Sequence, residues 1–379
     1  MSNINNRRTF LGAALALLAC SNSAFATISC QNDEPPQTEW NVKKFGAIGD
    51  GINDDYDVIQ KLIDHVSSCG GGIIFFPLGK YRLSHPLVIK NPGIALVGIG
   101  SGSVLLRLGK IDKLPSIKIL APGTHSTTDQ YGVDAIIILQ APAQAYLYGI
   151  SIKSLLLQAI DCQPMFGIYA PRWSHGIISD VGIANCDVGY LTYNAWMCKF
   201  SRVTVTNVNR GFVIADDGSG QGAGTSQSFD DCWVNSANQV AWDIYGLKYS
   251  SFVACGADHV GLQSSNGVAY KFKACESLEL TACGAEDIIG TVLSASRCVM
   301  HISGLNAGFA IRPAASKTPT GLIAVSDNST VIIDSSVLKS DISGCNAVTA
   351  DGTSLVYLRG NTFKGMIAPV SNARIKIDG

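Results

Sequence analysis

Seven times between Ile152 and Ala307 the chain repeats one short pattern, an apolar residue at i, i+3 and i+5 with small or polar residues between. The frames are Ile152/Leu155/Leu157, Ile178/Val181/Ile183, Phe200/Val203/Val205, Phe229/Cys232/Val234, Phe252/Cys255/Ala257, Leu280/Cys283/Ala285 and Ile302/Leu305/Ala307. They start 22 to 29 residues apart. A unit of that length with one apolar edge cannot bury the edge alone and must stack on copies of itself, as turns of a solenoid do. Strand alternation turns i+3 and i+5 inward and leaves i+4 and i+6 outside. The i+6 column then reads Gln158, Ala184, Thr206, Asn235, Asp258, Glu286, Gly308. The i+4 column reads Leu156, Gly182, Thr204, Trp233, Gly256, Gly284, Asn306.

A repeat array can use all 379 residues as one body, and 39 glycines suit a chain with a tight corner on every turn. Charged residues make up 15% of the chain and the net charge is −1, which excludes a general nucleic-acid binder while allowing a local charged patch. Residues 1–26 read as a twin-arginine-type signal peptide: Arg7-Arg8-Thr9-Phe10-Leu11, an apolar run to Ala19, and the small-x-small site Ala24-Phe25-Ala26. Leu18-Ala19-Cys20 offers an alternative lipoprotein-type site. The apolar run is too short for a stable membrane span. The mature chain is therefore expected to be exported, to the periplasm or beyond, with its oligomeric state open. Cys232, Cys255 and Cys283 share the i+3 core slot, which favours buried thiols over disulfides. No CxxC pair or Cys/His cluster marks a structural metal.

Residues 27–39 read as an irregular leader and 40–379 as the folded domain. A strand is expected over 41–47. An acidic turn follows at Asp50–Asp55, ready to cap a helix from about Tyr56 to Val66 with Val58, Ile59, Leu62, Ile63 and Val66 on one face. Cys69-Gly70-Gly71-Gly72 ends that helix. Strands are expected from Ile73 and near 81–83, 87–89, 94–97 and 104–106. The string Phe45-Gly46-Ala47-x-Gly49-Asp50-Gly51-x-x-Asp54-Asp55, then Ile59-Gln60 and Ile63-Asp64, then Gly70-Gly71-Gly72-x-x-Phe75-Phe76-Pro77-x-Gly79-x-Tyr81, resembles the opening of the pectate-lyase-like superfamily. That group includes polygalacturonases, rhamnogalacturonases, polysaccharide lyases and epimerases, and phage tailspike depolymerases. The resemblance implies an all-β solenoid, a right-handed single-stranded parallel β-helix whose N-terminal end is capped by the α-helix, and a polysaccharide partner outside the cell.

Stacked parallel strands lie about 4.8 Å apart. Asp258 and Glu286 are thus expected side by side on the outer surface, above a groove left open by Gly256 and Gly284, with Trp233 as its wall and Asn235 and Asn306 as further substrate contacts. Two carboxyls suit glycoside hydrolysis, in which one is a protonated acid and the other a base or nucleophile. Glu286 is the expected acid, Asp258 the base or nucleophile, and Asp287 and His259 the reserves. Ordinary outward polar ladders are the competing reading of all these residues. Asp216, Asp217, Asp230, Asp231 and His301 are rival candidates. The closely spaced aspartates (Asn-x-Asp, then Asp-Asp) of polygalacturonases are missing, which speaks against pectin. An endo-acting hydrolase leads. A lyase acting on a uronic-acid polymer follows, with Lys248, Tyr249, His259, Tyr270, Lys271 and Arg297 available. C5 epimerisation comes third, and a non-catalytic polysaccharide-binding β-helix stands as a different class. No cofactor is expected for hydrolysis. For elimination, calcium on Asp258, Glu286 and Asp287 is the alternative.

Overall fold

In the computed structural model every named frame pairs with the same slot of the next turn. Ile152 lies opposite Ile178, then Phe200, Phe229, Phe252, Leu280 and Ile302 in succession. The i+5 residues follow the same register, Leu157 to Ile183, Val205, Val234, Ala257, Ala285 and Ala307. The result is an all-β parallel solenoid of about 10 turns, with one α-helix among the described residues. The structure describes residues 38–109, 116–118, 130–141, 145–161, 165–216, 223–263, 266–309, 322–340, 344–370 and 372–378. The expected signal segment, nearly all of the expected leader, and Asp217 lie outside them.

Each turn lays down a first strand carrying the i slot, a second carrying i+4 to i+6, and a third on the opposite wall, such as Gly267–Lys273 and Gly290–Ser296. The corner between first and second strands is a single residue in the left-handed region: Ser154, Asp180, Arg202, Asp231, Ala254, Ala282 and Gly304, with φ between 50 and 66°. Glycine makes this corner once in seven turns, contrary to the expectation from composition. Left-handed backbone costs a non-glycine residue about 1–2 kcal/mol. That cost is offset because the corner N–H reaches the next turn: Asp231 N donates to Val253 O at 3.0 Å, and Ala254 N to Thr281 O at 2.9 Å. Asp231, a rival site residue, is thereby accounted for as a corner.

Inside, the repeated slots stack aromatic rings. Phe200, Phe229 and Phe252 lie face to face with centroids 4.6 and 4.8 Å apart, and Phe212 stacks on Trp242 at 4.3 Å. Cys232, Cys255 and Cys283 are buried thiols in the i+3 slot, as expected. The thiols of Cys232 and Cys255 each donate to a backbone carbonyl two residues back.

The opening differs from the sequence expectation in two details. Residues Glu39–Asn41 form the strand, and Val42–Phe45 is a 3-10 turn ended by Gly46 at φ 102°. The helix runs Tyr56–Ser68 and buries Ile59, Leu62, Ile63 and Val66. Asp55 stands at its start without capping it. Instead its buried carboxylate accepts the N–H groups of Ile48 and Gly49 at 2.6 and 3.0 Å, closing the loop before the helix.

Candidate functional site

The acid corner lies where the second strand ends. Asp258 and Glu286 are register partners, and Asn235 is the partner of Asp258 on the turn before. The backbone beneath them is held from inside. The Trp242 indole N–H donates to Gly256 O at 3.1 Å, and the Tyr270 hydroxyl lies 2.9 Å from Cys255 O and 2.8 Å from Gly284 O. These two buried aromatics fix the carbonyls of the strands that present the acids. Tyr270 is fully buried, and burial pushes its phenol well above the ordinary tyrosine range, so it is removed from the candidate bases.

The next residue on five successive turns is a second left-handed corner, and here His259 (φ 55°) lies over Asp287 (φ 48°). Asn185, Asn207 and Ser236 hold the same corner on earlier turns, so this conformation belongs to the ladder. His259 Nδ1 is 2.6 Å from Asp258 Oδ1, and its Nε2 is 3.5 Å from Asp287 Oδ2. The first contact is close but poorly aimed. Both atoms are buried and neither makes a directed hydrogen bond. Asp258 is mostly buried at 17% exposure, while Glu286 is exposed.

The expected open glycine strip is not there. The Trp233 ring lies across Gly256, where an added methyl would come within 2.0 Å of it, and the ring reaches to 3.7 Å from the same point on Gly284. Without a Cβ at either position, the indole folds down onto the strand face. Trp233 is therefore a floor beside the acids, not a wall, and the glycines are its seat. Asn235 accepts from the Ser236 hydroxyl at 2.8 Å, and Asn306 is exposed opposite Gly284. One turn beyond, a register shift pairs Glu286 with Phe309 instead of Gly308.

The side chains that could together hold a metal ion differ from the expected calcium set. Asp258, His259 and Asp287 have ligand atoms within 4.8 Å of one another, and Glu286 is not among them. His259 and Asp287 share the corner, while Glu286 projects from the strand. Calcium takes six to eight oxygen ligands, and an imidazole in place of a carboxylate does not fit it.

Residues 40–117 match the family model described as rhamnogalacturonase A/epimerase, pectate lyase-like. Alginate lyase 7 of Azotobacter vinelandii is 39% identical over 26% of this chain, and mannuronan C5-epimerase AlgE4 of the same organism 40% identical over 18%. The aligned segments span 12% and 14% of those two proteins. Among solved structures, the Acinetobacter phage vb_AbaP_AS12 gp42 tailspike superposes over 90% of this chain and 64% of its own, with a TM-score of 0.69 and 20% identity. The AlgE4 A-module covers 89% and 100%, with a TM-score of 0.54 and 15% identity.

Residues 40–117 thus resemble the opening of pectate-lyase-like proteins, and the solved structures share the parallel β-helix fold.

Within the solenoid the residues that sequence reasoning missed lie on the third strands. Asp243 is bracketed by Arg210 Nη1 at 3.6 Å and Lys271 Nζ at 3.3 Å. At the end of the same strand Tyr245 is hydrogen-bonded to Asp216, which pushes its phenol above the ordinary tyrosine value, and Arg297 lies close enough to oppose that shift. Asp216, Lys271 and Arg297 were each named from sequence. Their gathering was not, because the seven-frame pattern stops before the third strand. The remaining lyase candidates are placed elsewhere: Lys248 pairs with Glu276 at 2.9 Å, and Tyr249 is an exposed corner at φ 48°. No helix among the described residues is long and apolar enough to cross a membrane.

Proposed function

We propose that this chain is an exported polysaccharide-acting enzyme that hydrolyses glycosidic bonds within the polymer at the acid corner. The observation that carries the reading is the in-register pairing of Asp258 with Glu286 beside the flat Trp233 ring. Register pairing places the two carboxyls on adjacent strands, about 4.8 Å apart at the backbone, and a retaining mechanism uses carboxyls about 5–5.5 Å apart. Glu286, exposed, protonates the leaving oxygen. Asp258, shielded and beside His259, attacks the anomeric carbon, and water then releases the sugar through the same Glu286 acting as base. Trp233 offers a face on which a sugar ring stacks. His259 and Asp287 position Asp258 and do not themselves touch the scissile bond. The alginate lyase, mannuronan epimerase and tailspike likenesses support a polysaccharide as substrate. The helix at Tyr56–Ser68 serves as the N-terminal cap of the solenoid, and the twin-arginine pattern serves export.

A second reading is β-elimination on a uronic-acid polymer at the third-strand cluster. Arg210 and Lys271 would neutralise the uronate carboxylate there, and Tyr245 would stand nearest the proton to be removed. A panel of neutral and uronic-acid polysaccharides separates the two. Hydrolysis yields new reducing ends without ultraviolet absorbance, whereas elimination yields both. Unsaturated product, lost in Lys271→Ala and kept in Glu286→Gln, would replace the first reading with the second.

A further inference from the structure

Around the corner from the acid pair, on the first strands, three consecutive turns bring Glu279, His301 and Asp334 together. Glu279 and His301 are register partners, and Asp334 comes from the following turn. His301 Nδ1 lies 3.1 Å from Glu279 Oε1, and its Nε2 lies 2.7 Å from Asp334 Oδ2. Both ring nitrogens face carboxylates, an arrangement satisfied when each carries a proton. The hydrogen bond to Asp334, then that to Glu279, raises the His301 pKa against the opposing effect of burial. The ring has no free nitrogen to act as a base. It fixes the two carboxylates instead, and Asp334 Oδ1 is left buried without a hydrogen-bond partner.

Beside this triad is a groove of about 260 Å³ lined by Ser277, Glu279, Val299, His301, Thr330 and Ile332. Pockets for drug-sized ligands run from about 300 Å³ upward, so this one has room for about a single ring. Val299, 52% exposed, and Ile332 give the groove an apolar side, and Ser277, Thr330 and the Glu279 carboxylate give it a polar one. The adjoining triad, one imidazolium between two carboxylates, carries net negative charge. That repels a uronate and favours a ligand rich in hydroxyl donors.

We infer that this groove is a second sugar-binding subsite, which holds one uncharged pyranose unit with its C–H face on Val299 and Ile332 and its hydroxyls on Glu279 and Thr330. The inference rests on the polysaccharide reading and narrows it to a polymer containing neutral sugar residues. It makes the first-strand surface an anchoring site next to the acid corner.

The test follows the imidazole resonances of the full chain by NMR, with His301 and His259 assigned from His301→Gln and His259→Gln. Methyl glycosides of neutral hexoses and of uronic acids are titrated separately into the wild type and into Val299→Asp, an exposed change that leaves the core alone. The expected result is a saturable shift of His301 with neutral glycosides, little with uronates, and binding about tenfold weaker in Val299→Asp. A His301 signal unmoved by neutral glycosides while His259 responds would overturn the subsite and leave the acid-corner reading standing. A shift of His301 in a protein that cleaves no polysaccharide would do the reverse. Equal binding by Val299→Asp, or preference for uronates, also overturns the inference.

Discussion

The opening turns (39–108) and the central turns (229–309) are stacked by the same parallel pairing, yet their polar side chains behave in opposite ways. In the opening, charge is spent on the backbone. Asp55 ties down two N–H groups, and the fully buried Arg107 donates to Leu83 O and pairs with Asp134 at 3.0 Å. In the central turns, Asp258, His259, Glu286 and Asp287 project from corners and strand ends, and the tightest contact among them is misaimed. A buried polar group lacking good partners costs stability, so such an arrangement is more telling than an exposed acid alone. The family match falls on 40–117, where side chains serve the scaffold. The acid corner lies outside it. Likeness of sequence therefore reports the fold, and the chemistry has to be read from register.

The sharpest way to break this contrast is to neutralise acids in both regions. Asp258→Asn and Glu286→Gln should each lower turnover by about 10²–10⁴-fold, the usual range for a lost acid or base, with thermal midpoints close to wild type. Full activity in both would dissolve the proposed site. Asp134→Ala should do the opposite. Removing the carboxylate that pairs with the buried Arg107 should cost up to about 3–5 kcal/mol in a denaturant titration, while activity per folded molecule is unchanged. A destabilised acid-corner variant with a stable Asp134→Ala would mean that the two regions had been assigned the wrong way round.

The stacking and its register were legible because one strand-corner-strand unit repeats, and repetition converts a spacing in sequence into a neighbour in space. Asp258 and Glu286 came together for that reason alone. What was hidden depended on where side chains turn after leaving the strand. The pattern could align Trp233 with Gly256 and Gly284 but could not show the indole lying on them. It treated His259 as a reserve because it did not reveal that the left-handed corner lifts His259 over Asp287. The third-strand charges escaped because the links from second to third strand vary in length, so Arg210, Asp243 and Lys271 keep no fixed offset from the frame. Glycine content misled about the corners, where inter-turn hydrogen bonds let Arg202, Asp231 and Ala254 take left-handed backbone.

A smaller effect sharpens the role of the Trp233 floor. Gly256→Ala puts a methyl where the ring now lies, and the ring, attached by a flexible side chain, swings off the strand instead of unfolding it. Overpacking of this kind typically costs about 1–3 kcal/mol. The expected outcome is a shift in tryptophan fluorescence and a raised KM with kcat nearly kept. An unchanged KM would remove Trp233 from substrate binding.

The smallest effect concerns His301. Its folded-state pKa is raised above the ordinary 6.5, so the charged form is favoured by folding. The stabilisation is therefore fully present below pH 6.5 and is lost as pH rises through the folded value. Above that window one nitrogen has no proton to give, and one of the two carboxylates faces a lone pair. At 36% exposure the ring is well screened, so the decline should be shallow and further reduced by salt. Denaturant midpoints measured against pH in wild type and His301→Gln should diverge below the window and converge above it. Parallel curves would show that the clamp contributes nothing to folding. They would also leave Asp334 and Glu279 without the fixed geometry that a sugar subsite on that face requires.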